Sequence, residues 1–206
     1  MTEALLALLV ATVASFIGSL QAGLVNTAVL AATLRHGPVV ARNTAFGGAL
    51  PEFLYAALAF LAADRVLAFT SRFGISAGII TGVVLVVLGG YFLFFMRPLH
   101  AAEELPKRSG FGKGLLLGLM NPQLALFWCG VRLGMEAMGL KIHGWGALVG
   151  FSLGAFIGAM ILLLLLIRLG GHMRERMAGK TMVLVFRAVG MVLVVAGVWT
   201  WLAGRG

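Results

Sequence analysis

The residue with the clearest chemical content is Glu52, which sits near the middle of an apolar run, directly after Pro51. A charged side chain at the centre of a bilayer costs about 2.5–3.5 kcal/mol on insertion scales. An acid in that position therefore faces a cavity or finds a partner, and such acids relay protons or bind cations. The structural alternative is a carboxyl kept neutral or paired with a cation such as Arg42 or Arg187. Two amides, Asn26 and Asn121, also lie in apolar runs. In hydrocarbon an amide needs partners, and bridging helices by hydrogen bonds is its ordinary role. Asn121 precedes Pro122, which lacks a backbone donor and crowds the carbonyl four residues back, so the helix should open near Gly118. Gln21 and Gln123 flank the same two places and can extend a polar lining.

Other chemistries find little support. The four histidines, His36, His100, His143 and His172, are scattered and have no metal-ligand spacing, so no dedicated metal site is expected. Cys129 is the only cysteine, which leaves neither an internal disulfide nor a CxxC pair and nearly excludes a thiol–disulfide carrier. HExxH does not occur, and no phosphate-binding loop is present. We therefore expect no cofactor and no direct use of ATP, and do not expect an enzyme.

Composition says what must hold these residues. Of 206 residues 61% are hydrophobic and 11% charged, whereas a soluble domain carries about 25% charge. Such a chain cannot cover itself in water, but lipid solvates it directly. The net charge of +9 does not point to nucleic acid, because the Lys and Arg residues cluster between apolar runs as in membrane proteins. Six apolar runs follow one another: about Ala4–Leu34, Val39–Ala63, Ile75–Phe95, Gly114–Gly139, Trp145–Ile167 and Thr181–Leu202. Each should be helical, since hydrocarbon offers the backbone no partners. The first is longer than a bilayer needs and holds Ser15, Gly18, Ser19, Gln21, Gly23 and Asn26, so it is either tilted or broken. No positive segment precedes it, as a cleaved signal peptide would require, so it is expected to stay as a helix.

Loops one, three and five hold Arg35, Arg42, Arg97, Lys107, Arg108, Lys113, Arg168, Arg174, Arg176 and Lys180. The other loops and the C-terminus hold Arg65, Arg72, Arg132, Lys141 and Arg205. The positive-inside rule then places both termini outside a bacterial cytoplasmic membrane. Trp128 and Arg132, toward the far end of the fourth run, read as interface anchors, and Arg187 as a snorkelling side chain.

A polar loop over residues 99–113 divides the single membrane domain, 1–206, into halves of about 1–98 and 114–206. A shift of 95 residues aligns Phe16 with Phe111, Gly23 with Gly118 and Asn26 with Asn121. Three spans per half means that the second half enters from the opposite side. The expected fold is thus all-α, with six transmembrane helices as two inverted three-helix repeats. Secondary transporters commonly have this plan, with the solute held where the helices of the two repeats are interrupted.

These motifs resemble the lysine-exporter (LysE/RhtB) family of amino-acid exporters. Asn121-Pro122 after Phe111-Gly112-Lys113-Gly114-Leu115 is similar to that family's block opening the second half. Gly47-Gly48-Ala49-Leu50-Pro51-Glu52 is similar to its glycine-rich second helix, and His36-Gly37 and Gly89-Gly90-Tyr91 also fit. The family's Pro-Gly-Pro run before the first Asn is reduced here to Gly23, as in a divergent member. The resemblance implies proton-driven efflux of amino acids or similar solutes.

The expected partners are thus a small-molecule solute, protons and the lipid bilayer. Glu52 is the expected coupling acid, and Asn26, Asn121, Pro122, Gly23, Gly118, Gln21 and Gln123 shape the site. The alternatives are a membrane-embedded enzyme on a lipid-borne substrate and a cation or metal exporter. Both call for more intramembrane acids than Glu52. Gly146, Gly150, Gly154 and Gly158, four residues apart, form a packing face within a protomer or across a homodimer.

Overall fold

A computed structural model describes residues 2–20, 23–72, 76–94, 110–121, 123–140, 142–177 and 180–203. Among them every regular element is an α-helix. In chain order these are α1 (Thr2–Ser19), α2 (Leu24–His36), α3 (Pro38–Ser71), α4 (Ala77–Phe94), α5 (Phe111–Leu119), α6 (Gln123–Ala137), α7 (Gly144–Met177) and α8 (Lys180–Ala203). Three stretches are long and apolar enough to cross a membrane: Thr2–Ser19, Pro38–Ala63 and Gly144–Gly170. A fourth forms if α5 and α6, bent by 65° at their junction, are one span.

The side-chain distribution is that of a protein in lipid. On α1 the small residues Ala7, Ala11 and Ser15 are buried, while Leu5, Leu9, Val13 and Ile17 are 52–58% exposed. In water the large residues would turn inward. In lipid there is no such drive, and helices associate by bringing small residues together so that backbones approach closely.

Three helix pairs use that principle. α7 packs along α1, α5 along α3, and α8 along α4. The stripe Gly150, Gly154 and Gly158 lies against the α1 backbone at Ala4, Leu8 and Thr12 of the same chain. A side chain at Gly114 would meet the carbonyl of Thr44, and one at Gly47 the carbonyl of Phe111. Gly118 gives the same room to Pro51, whose Cγ would lie 2.6 Å from an added Cβ. Gly89 and Gly190 play this part between α4 and α8. α3 and α7 also pack on each other, with α2 against both and α6 against α3 and α4.

The first apolar run, expected to be tilted or broken, is broken: α1 stops at Ser19 and α2 starts at Leu24 after an extended Gly23 (φ −85°). One boundary differs from the sequence expectation. α7 continues through Arg168 to Met177, where a basic loop was expected, because residues 168–177 hold no proline and a helix can carry polar side chains once clear of hydrocarbon. The polar loop falls mostly outside the described residues, with Lys113 already inside α5.

Two apolar cores lie at different depths. One gathers Ala56, Phe60, Trp128, Ile142, Phe151 and Ala155. The other gathers Val29, Ala45, Ala49, Ala159, Leu163 and Leu166. On α3 the gap between them is residues 50–55, and Glu52 sits in it. The α1–α7 seam predicts that Gly154→Leu destabilises the protein by about 1–3 kcal/mol through overpacking. Gly112→Ala, where an added Cβ meets nothing within 4 Å, should leave the unfolding midpoint nearly unchanged. Thermal unfolding in detergent, followed by circular dichroism, distinguishes the two.

Candidate functional site

Glu52 is buried on α3, beside the end of α1 and the α5–α6 junction. Its carboxylate accepts a 2.6 Å hydrogen bond from the indole Nε1 of Trp128 on α6. The hydroxyl of Ser19, the last residue of α1, is a second hydrogen-bond partner. The acid is therefore held by the end of α1 and by a side chain of α6, not by Arg42 or Arg187. Hydrogen bonds to an ionised acceptor are shorter and about twice as strong as neutral ones.

The breaks expose backbone groups that need partners. At the first, the Asn26 amide Nδ2 donates to the carbonyl of Ser19 at 2.7 Å, tying α2 back to the end of α1. At the second, Asn121 Oδ1 accepts from the backbone N–H of Gln123 at 3.1 Å, as a side-chain cap of α6. The freed carbonyl of Leu119 accepts from the Tyr55 hydroxyl at 2.8 Å. The two asparagines occupy matched sequence positions but serve opposite ends: one covers a helix C-terminus, the other caps an N-terminus.

These groups surround a cavity of about 50 Å³. Ser19, Gly23, Asn26, Glu52, Asn121 and Gln123 supply its polar and glycine wall, and Phe127, Ala159 and Leu163 part of its apolar wall. Five residues singled out in the sequence thus meet at one place. Gly118 is buried one turn away, where it seats Pro51. Gln21 and Pro122 lie outside the described residues.

Trp128 and Arg132 are not interface anchors: both are completely buried. Trp128 packs edge-on against Phe127 and Phe151, with centroids 5.1 and 5.3 Å away. Arg132, one turn further along α6, pairs with Glu136 at 3.0 Å, donates to the carbonyl of Ile142 at 3.1 Å and stacks 5.0 Å over Phe60. Burial is tolerable because partners surround the guanidinium. Sequence reasoning missed Trp128 and Ser19 as partners of the acid. The available signal was spacing: Trp128 lies seven residues after Asn121, and Ser19 seven residues before Asn26.

Compared with protein-family models, with curated proteins and with solved structures, the chain matches none.

The site can hold a polar or cationic group beside a carboxylate, shielded from lipid. If the Trp128–Glu52 bond joins α6 to α3, losing it should couple to the charge on Glu52. Trp128→Phe is expected to cost about 1–3 kcal/mol in the parent and distinctly less in a Glu52→Gln background. A double-mutant cycle by unfolding in SDS measures the difference, and additive effects would show that the bond contributes nothing.

Proposed function

We propose that this chain is a secondary-active exporter of amino acids or related small solutes, coupled to protons through Glu52. The observation that carries the reading is a buried acid in a small polar cavity, beside the end of α1 and the bent α5–α6 junction. Broken helices at the midplane present backbone groups and half-helix dipoles to a solute, and a single acid beside them can exchange a proton for it.

The helix pairing favours two inverted halves. On this reading α1 and α2 form one broken span and α5 and α6 its counterpart, with α3, α4, α7 and α8 completing six crossings. Exchanging the halves turns the α1–α7 seam into the α5–α3 seam and returns the α3–α7 and α4–α8 pairs to themselves, whereas α2–α3 and α4–α6 have no comparable counterpart among the described residues. The two apolar cores on either side of the cavity then supply the two seals that alternating access needs, one opened at a time. The balance of Lys and Arg favours a bacterial cytoplasmic membrane with both termini outside.

Two measurements bear on this. In proteoliposomes loaded with mixed amino acids, Glu52→Gln is expected to abolish pH-gradient-driven efflux while expression stays at the parent level; full efflux by the variant overturns the coupling role. A reporter fused after Arg205 should be active only if it matures outside the cytoplasm, and cytoplasmic activity would reverse the orientation.

A further inference from the structure

We propose that the transported solute has two parts, a polar head held in the Glu52 cavity and an apolar side chain lodged in a neighbouring cleft, with the Phe127 ring as the partition between them. This rests on the export reading and names the substrate class: amino acids or amines with an aliphatic side chain several carbons long.

The cavity beside Glu52 is too small for a whole solute of that kind. At about 50 Å³ it has room for a few water-sized groups, since one water takes about 10–15 Å³ on the same measure. An ammonium or carboxylate head fits that space, but a long side chain does not. The extra room lies on the other side of one residue. A cleft of about 230 Å³ runs between α1, α4 and α6, lined by Val10, Leu85, Val131, Met135, Met138 and Phe127. Its walls are apolar, and two methionines supply adaptable, polarisable surface that accepts varied shapes.

Phe127 belongs to both spaces. Its ring rests on Gly18, one residue before the α1 break, where an added Cβ would lie 2.6 Å from the ring's Cζ. The residue shared by the two spaces is thus an aromatic ring seated on a glycine.

The cleft is also left open by α6 itself. Along the α1–α7, α3–α5 and α4–α8 seams glycines bring helices into contact. On α6 a Cβ at Gly134 would meet nothing within 4 Å, and one at Gly130 nothing nearer than 3.5 Å. These two glycines, one turn apart, make space rather than contact. A fully buried head with an apolar tail beside it fits both spaces at once, and burial of each matched methylene supplies the discrimination.

The test is efflux of a homologous series from proteoliposomes of the full chain under a pH gradient: alanine, 2-aminobutyrate, norvaline and norleucine, with serine as the polar comparison. The half-saturating internal concentration is expected to fall about fourfold for each methylene added. Gly134→Leu, which fills the cleft from α6, should flatten the series to within about twofold, and Leu85→Trp should do so from α4 if the first variant does not fold. Equal efflux along the series, or an unchanged slope in both folded variants, overturns the inference, assigns the cleft to lipid and leaves the export reading intact. Serine moving as well as norleucine has the same meaning. If no member of the series leaves the vesicles in a gradient-dependent way, both readings fall together.

Discussion

A backbone in hydrocarbon must satisfy its own donors and acceptors, and in this chain it fails to do so at two places of its own making. α1 ends at Ser19 and α5 at Leu119, each leaving helix-end groups that need partners beyond their own helix. The rest of the site follows from how those ends are covered. Asn26 takes the Ser19 carbonyl, Asn121 caps α6, and Tyr55 reaches the Leu119 carbonyl. The Ser19 side chain is then directed to Glu52, and Trp128 on the capped helix reaches the same carboxylate. A buried carboxylate is tolerable only when hydrogen-bonded, so the acid and the breaks stabilise one another. Continuous helices would leave Glu52 without Ser19 and without its place beside the break.

The glycine seams explain why the breaks meet. Close backbone contact between α3 and α5, through Gly47 and Gly114, brings the end of α5 to the level of Pro51 and Glu52. Contact of α1 with Gly150, Gly154 and Gly158 sets the end of α1 at the corresponding depth on α7. Packing without a hydrophobic drive depends on such fit, so positional precision at the site comes from small residues far from it.

What could be read in the chain was what lipid makes expensive. Glu52, Asn26 and Asn121 stand out because polar groups are rare in hydrocarbon and have to be explained. The broken first run was legible from its length and its serines and glycines. The all-helical architecture followed from composition. Trp128 and Arg132 could not be placed in this way. Both are common at membrane interfaces, and their burial depends on partners such as Glu52, 76 residues away for Trp128, or the Ile142 carbonyl. The glycine stripe on α7 was recognisable as a packing face, but its partner was set by tertiary structure. The end of α7 was misjudged because charge marks where a helix leaves lipid, not where it stops.

On the proposed reading, the Trp128–Glu52 bond also links protonation to motion. It joins α3 to α6 across the cavity, so any opening that separates these helices has to break it. The cost of that step depends on the proton: an ionised carboxylate accepts a charge-assisted bond, and a neutral carboxyl accepts one about half as strong. A ligand can shift a conformational equilibrium only by its differential affinity for the two states. A proton on Glu52 has such a difference built in, because it weakens a contact present in the closed arrangement and lost in the open one. A cationic head beside the ionised acid loosens the same contact by competing with the indole for the oxygens, and it excludes the proton from them. One carboxylate with one indole partner is therefore enough to make solute and proton alternate, without a second acid in the membrane.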